Sequence, residues 1–152
     1  MFKLRRYVPG DFKRLLEIDH ACFAEGIAYP ADAMRYFLDR ASSITLVGTE
    51  KGKVQGFVIA DRSSPRRGER VLGHIITLDV APSAQRRKLG SLLLTAAEDA
   101  LREASCSHVA LEVAVDNESA LRFYKRHGYS VLKALPHYYR DEIDGLLMGK
   151  SL

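Results

Sequence analysis

Val71-Leu72-Gly73-His74-Ile75-Ile76-Thr77-Leu78-Asp79-Val80, followed after a turn through Pro82 by Gln85-Arg86-Arg87-Lys88-Leu89-Gly90-Ser91, is the stretch that decides the fold. The first ten residues form a β run rich in branched and apolar side chains, and it stops before Pro82. Beyond the basic turn, Leu89, Leu92, Leu93, Ala96, Ala97, Ala100, Leu101 and Ala104 recur at intervals of three and four, the wide apolar stripe of a helix. Val109, Leu111, Val113 and Val115 then alternate as a strand. Strand, helix and strand in immediate succession predict a parallel β-α-β crossover.

Upstream, Phe2 to Tyr7 reads as a first strand, and Pro9-Gly10-Asp11 ends it, with Asp11 placed to cap a helix on which Phe12, Leu15, Leu16, Ile18, Asp19 and Cys22 carry a mostly helical spacing. A second short helix is expected from about Pro30, with Met34, Tyr36, Phe37 and Leu38 as its apolar set. Ile44–Val47 and Val54–Ala60 are joined by the polar turn Glu50-Lys51-Gly52-Lys53, which predicts a hairpin. Downstream, Ala120, Leu121, Phe123 and Tyr124 mark a helix capped by Asp116 or Asn117 and stopped near Gly128. Tyr129–Leu135 and Asp144–Gly149 close the series as strands. The order β-α-α-β-β-β-α-β-α-β-β predicts an α+β fold, a mixed sheet flanked by helices.

The chain has 152 residues, 47% hydrophobic and 28% charged, which suits a single globular domain with a sizeable core. No window holds the ~18 apolar residues a membrane span needs, and the first residues lack the apolar run of a signal peptide. Cys22 and Cys106 lack metal-type spacing, so both are expected as reduced thiols in a cytoplasmic protein without a metal. The net charge of +4 favours anions without choosing among them.

Position chooses. Successive backbone N–H groups at the start of the helix after Arg86-Arg87-Lys88 make a natural phosphate cradle, with Gly90 allowing close approach. An ordinary basic turn opening a surface helix is the alternative. The spacing fits neither a P-loop nor a dinucleotide fingerprint.

The second informative stretch runs from Leu111-Glu112-Val113-Ala114-Val115-Asp116-Asn117 through Ser119-Ala120-Leu121-Arg122-Phe123-Tyr124 to Gly128-Tyr129. Together with Gln85-Arg86-Arg87-Lys88-Leu89-Gly90, it resembles the GCN5-related N-acetyltransferase superfamily, whose signature is Gln/Arg-x-x-Gly-x-Gly/Ala after a strand. The likeness is greatest to protein N-terminal acetyltransferases, notably those of the ribosomal-protein-alanine type. The match spans about Val71 to Tyr129, with weaker similarity to both ends. Lys88 departs from the pattern, standing where the first glycine is expected.

The resemblance implies one N-acetyltransferase domain over residues 1–152, with a mixed, mostly antiparallel sheet and acetyl-CoA as cosubstrate. It implies that Leu78, Asp79 and Val80 pair with the pantetheine arm through their backbone. Gln85, Arg86, Arg87, Lys88, Leu89, Gly90 and Ser91 would hold the pyrophosphate, and Asn117 and Tyr124 would also touch the cofactor. Tyr124 would protonate the departing thiolate. Glu112 interrupts an apolar strand, where a carboxylate is costly unless paired or functional, and it matches the family's general base. His74, expected to share a strand face with Ile76 and Leu78, is the alternative base, since histidine titrates near neutrality. Attack by the amine on the thioester would be direct, without an acyl-enzyme.

The segment Phe23-Ala24-Glu25-Gly26-Ile27-Ala28-Tyr29-Pro30 falls where these enzymes receive a peptide's first residues. His137-Tyr138-Tyr139-Arg140, expected between the last two strands, resembles their paired tyrosines. Tyr29, Tyr138 and Tyr139 are therefore the candidate acceptor residues. The acceptor is expected to be a protein or peptide N-terminus, with a lysine side chain or a small amine as the alternative. A non-catalytic acyl-CoA sensor is a further alternative, to which the Lys88 departure lends support and the retained Glu112 and Tyr124 do not. The basic loop from Arg62 to Arg70, including Pro65, fits a solvated hairpin, and no membrane or nucleic-acid partner is expected. The chain is expected as a monomer or homodimer.

Overall fold

The computed structural model describes residues 1–24, 26–64, 66–139 and 142–152. Glu25, Pro65 and Arg140, named in the loops above, lie outside the described residues. The chain forms β1 (Lys3–Arg6), α1 (Phe12–Cys22), α2 (Ala31–Asp39), β2 (Ser43–Glu50), β3 (Lys53–Arg62), β4 (Val71–Val80), α3 (Leu89–Glu103), β5 (Cys106–Ala114), α4 (Glu118–Arg126), β6 (Ser130–Tyr139) and β7 (Ile143–Ser151). One open sheet takes all seven strands in the order β1-β2-β3-β4-β5-β7-β6. Every neighbouring pair is antiparallel except β4 and β5, which are parallel as the crossover requires.

Period-two alternation along the central strands supplies two cores. Phe57 and Ile59 of β3 pack with Leu15 and Ile18 of α1 and Met34 of α2. Val58 and Ala60, one residue out of phase, face Leu93, Leu94, Ala97 and Leu101 of α3 on the other side. Truncation of Leu93, fully buried, to Ala would cost about 2–5 kcal/mol. Lys51 and Gly52 close the β2–β3 hairpin with φ of 52° and 79°, the left-handed pair that a type I′ turn demands.

The feature that positions the site is a fork. β4 and β5 are paired only from Val71↔Cys106 to His74↔Ala110. Beyond His74, β4 carries a bulge against β3, with Ile59 opposite Thr77 and Ala60 opposite Ile75, so Ile76 is the extra residue. A bulge bends its strand and sharpens the twist, here carrying β4 away from β5. It also shifts the alternation by one. Ile76 packs on the α1–α2 side, whereas Leu78 and Val80 pack on the α3 side. The expectation that His74, Ile76 and Leu78 share a face is thus corrected: His74 and Ile76 do, and the bulge turns Leu78 to the other.

Two further expectations change. Asp11 precedes α1 without a side-chain capping bond, because its carboxylate instead accepts from Arg5 Nη1 and Nη2 at 2.8 and 3.0 Å and from Val8 N–H at 3.0 Å. Tyr138 and Tyr139 are not between the last two strands but in β6 itself, which runs on past Pro136 and a residue of positive φ, His137, to Tyr139. β6 is the edge strand, where a proline lacking an N–H is tolerated. Among the described residues no helix is long and apolar enough to cross a membrane.

Candidate active site

The fork opens between Ile75–Val80 of β4 and Leu111–Ala114 of β5. The N–H of Ala81 turns to Gln55 C=O of β3 at 2.7 Å. By alternation the backbone groups of Asp79 also face β3, and those of Leu78 and Val80 face the fork. Val80 C=O confirms the direction, accepting from Cys22 Sγ at 3.2 Å and Gln85 Nε2 at 3.0 Å. An extended ligand lying in the fork therefore meets the outward strand edge at Leu78 and Val80, where Val80 C=O already holds Cys22 and Gln85.

Two adjoining cavities occupy this region. One, of about 450 Å³, is lined by Tyr29, Ile76, Leu78, Glu112, Asn117, Tyr124 and Tyr139 among others. The other, of about 610 Å³, lies over the start of α3 and is lined by Gln85, Arg86, Lys88, Leu89, Gly90 and Ser91. Leu78, Cys22, Phe23, Asn117, Ala120 and Tyr124 line both, so they stand at the junction. Asp79 lines neither. Its side chain is buried under α1.

The second cavity has the chemistry of a phosphate site. The first intrahelical bond of α3 is Leu92 N–H to Lys88 C=O, so the N–H groups of Leu89, Gly90 and Ser91 precede the ladder at the positive end of the helix dipole. Arg86 and Lys88 both adopt the left-handed conformation, with φ of 62° and 70°. Lys88 thus holds the backbone angle for which glycine is suited, at a cost of about 1 kcal/mol. Arg87 points elsewhere. Its guanidinium binds both carboxylate oxygens of Glu50 and lies 4.7 Å over the Phe2 ring. That pairing holds Glu50 below the usual carboxylate range.

Glu112 and Tyr124 both line the first cavity. Leu111 and Val113 pack toward α3, so Glu112, between them, points to the opposite face. There it meets His74, whose Nε2 lies 2.8 Å from each carboxylate oxygen. The two residues that the sequence offered as alternative bases are one hydrogen-bonded pair. Tyr124 is 9% exposed, and burial, then the nearby Asp79 and Tyr139, pushes its phenol well above the ordinary range. The hydroxyl therefore keeps its proton at neutral pH and is available as a donor. Asn117 caps α4, its Oδ1 accepting from Ala120 N–H at 3.2 Å, which places both the Asn117 amide and Tyr124 at the cavity junction.

Three tyrosines crowd the outer side. Tyr29 donates from its hydroxyl to Ile76 C=O at 3.3 Å and stands edge-on to Phe37. Tyr139 lines the cavity, with Tyr138 packed edge-on against it at 4.8 Å and half exposed. Burial and the Glu112 carboxylate both push the Tyr138 phenol up.

Sequence reasoning missed Arg126, Phe123 and Ser119, which line the second cavity. Their spacing of four and three residues puts them on one face of α4, and that periodicity was the available signal. Cys22 and Phe23, at the end of α1, carried none, because only the packing of α1 beside β4 brings them to the junction.

The chain matches the Acetyltransferase (GNAT) family over residues 12–129. It is 31% identical to an uncharacterized N-acetyltransferase of Methanocaldococcus jannaschii, with 97% of this chain and 90% of the relative covered. It is 33% identical to an N-alpha-acetyltransferase of Sulfolobus acidocaldarius, covering 99% of this chain and 93% of the relative. A crystal structure of the NatC complex bound to Gag peptide and CoA contains a chain of the same fold, with TM-score 0.87, 22% identity and coverage of 99% and 98%.

Proposed function

Since the chain belongs to the Acetyltransferase (GNAT) family and is an N-acetyltransferase, we propose that it transfers acetyl from acetyl-CoA to the N-terminal α-amine of a protein or peptide. The observation that carries this reading is that Glu112 and Tyr124 line one cavity while Tyr124 also lines the phosphate-type cavity beside it. A proton acceptor and a proton donor thus stand on the two sides of the place where a thioester would lie. The relative in Sulfolobus acidocaldarius supports an α-amine acceptor by its name, and the NatC structure by its bound peptide and CoA.

In this reading the N–H groups of Leu89, Gly90 and Ser91, with Arg86, Lys88 and Arg126, hold the pyrophosphate of acetyl-CoA. The backbone of Leu78 and Val80 aligns the pantetheine arm as an added strand, and Asn117 bonds it from the α4 side. The N–H groups of that strand polarise the thioester carbonyl. Tyr29, Tyr138 and Tyr139 close around the acceptor and orient its amine. The Glu112–His74 pair removes the proton from the attacking amine, and Tyr124 gives its proton to the departing thiolate. Residues 1–152 are read as one domain, since β1 and β7 at its two ends belong to one sheet. The two free thiols, Cys22 and Cys106, suit a reducing cytoplasm.

The test is to incubate the protein with acetyl-CoA and peptides varied at their first two residues, beside N-terminally blocked peptides with a free lysine. Mass shifts confined to free α-amines support the proposal. Acetylation of the blocked peptides alone would replace it with a lysine acceptor, and turnover only on small amines would replace the peptide altogether.

A further inference from the structure

Beneath the acceptor side of the cleft lie two carboxyl groups that the chemistry above does not use. Asp19 of α1 and Asp79 of β4 are 0% and 1% exposed. Asp19 Oδ2 accepts from Tyr29 N–H at 2.6 Å, and Asp79 Oδ1 accepts from the Thr77 hydroxyl. Their other oxygens, Asp19 Oδ1 and Asp79 Oδ2, are sealed from solvent and receive no donor among the described residues. Asp19 lies beside Asp79 and, after burial, acts on its carboxyl most strongly. Two bare carboxylates side by side, away from water, would be opposed by both desolvation and like charge. One proton between them supplies the missing donor and leaves a single, delocalised charge facing Tyr29 N–H.

We propose that Asp19 and Asp79 share a single proton and act as a positioning pair that fixes Tyr29 against the acceptor end of the cleft. The proposal rests on the reading of Tyr29 as an acceptor-site residue. Three bonds hold that residue: its N–H to Asp19, its C=O to His20 Nε2 at 2.8 Å, and its hydroxyl to Ile76 C=O. The bulge at Ile76 serves both halves of the device. It presents the carbonyl that Tyr29 reaches, and it shifts the alternation so that Asp79 faces α1.

Burial, then Asp19 beside it, raises Asp79 well above the usual carboxylate range. The folded chain therefore keeps a proton that the unfolded chain releases. The pair's contribution is full below the ordinary carboxylate range and is lost as pH rises through the raised folded value. The titratable groups facing the pair are Cys22 of α1, Tyr29 and, from α4, Tyr124. All three are pushed upward, the Cys22 thiol to about 12, by burial first and by the carboxylates of the pair next. Glu112 of β5 faces Tyr29 from the cavity.

The test uses the full chain. Infrared spectra at neutral pH are expected to show the carbonyl stretch of a protonated carboxylic acid that Asp79→Asn removes. Hydrogen exchange followed by NMR is expected to show Tyr29 N–H protection reduced about tenfold in Asp79→Ala and restored in Asp79→Asn, whose amide N–H replaces the shared proton. With a free-amine peptide that the wild type acetylates as acceptor, Asp79→Ala is expected to raise the acceptor KM about tenfold, the acetyl-CoA KM moving less than about twofold. No such infrared band, or Tyr29 protection unmoved in Asp79→Ala, overturns the shared proton. A shared proton with an unmoved acceptor KM overturns the positioning role. If Asp79→Ala fails to fold, a pH series decides: Tyr29 protection lost at alkaline pH in the wild type but not in Asp79→Asn supports the pair, and parallel curves overturn it. If the wild type acetylates no peptide, the acceptor reading falls and the positioning role with it, while the infrared band and Tyr29 protection still decide whether the proton is shared.

Discussion

His74 Nε2 lies 2.8 Å from both carboxylate oxygens of Glu112, across the last rung at which β4 and β5 are still paired. The contact sits at the vertex of the fork, where one strand contributes the imidazole and the other the carboxylate. In this arrangement a change to either side chain alters the surroundings of the other, because a hydrogen bond joins them.

The pair is therefore expected to act as a unit. Glu112→Gln should lower kcat by about 10²–10³, a loss usual for a general base, and His74→Ala by about tenfold. The double variant should fall within about twofold of Glu112→Gln, since removing either partner disables the same function. Additive losses in a double-mutant cycle would mean the two act separately.

Tyr124→Phe should lower kcat by about 10–10² with little change in the acceptor KM, because in the proposed mechanism the lost hydroxyl acts on the leaving thiolate. The raised phenol is protonated, and competent, at every pH below its shifted value. Its ionisation should thus cause no alkaline fall in kcat below about pH 10, the ordinary tyrosine value. A pH–rate profile that declines below that point in the wild type but not in Tyr124→Phe would contradict the assignment.

Lys88→Gly should stabilise the chain by about 0.5–1 kcal/mol, the cost of a side chain at φ 70°, seen as a melting temperature higher by about 1–4 °C. Lys88→Ala keeps the Cβ and loses only the ammonium, so it should leave the melting temperature in place while raising the acetyl-CoA KM severalfold. Thermal melts beside acetyl-CoA titrations separate the two effects.

Arg5 and Val8 N–H hold the Asp11 carboxyl below the usual range. A depressed folded value contributes stability above the unfolded value and loses it as pH falls through the folded one. Asp11→Asn should lower the melting temperature by about 2–4 °C at pH 7, for a loss of about 1 kcal/mol, with the gap to wild type closing below about pH 4. Melts recorded across that range check the sign.

Lys150 Nζ donates to Glu98 Oε1 at 3.0 Å and to His127 C=O at 2.8 Å, while the Tyr129 hydroxyl donates to Glu98 Oε2 at 2.8 Å. This buried network ties the end of α4 to α3 and β7. Lys150→Met would strand the Glu98 charge and should cost about 3–5 kcal/mol, whereas Glu98→Gln with Lys150→Met should recover much of it. Denaturant midpoints of the single and double variants are the check.

Local patterns decided much of this protein. The stripe from Leu89 to Ala104 and the alternation of Val109 to Val115 are properties of adjacent residues, so the crossover and the basic start of α3 were legible from the chain alone. A cap for α4 at Asp116 or Asn117 and the order of all eleven elements were legible for the same reason, and the structure chose Asn117. What the sequence left open is what depends on distance along it. Glu112 and His74 are 38 residues apart, and no local period says that a bulge at Ile76 and a short β4–β5 pairing bring them together. The same bulge, one residue with no signature of its own, decided which face Leu78 and Asp79 take. Tertiary packing also set Arg87 on Glu50 rather than in the cleft, extended β6 through Tyr138 and Tyr139, and buried Asp19 against Asp79. Propensity and periodicity act over a few residues and fix the elements. Side-chain partners across a sheet are fixed by register and twist, which exist only once the strands have met.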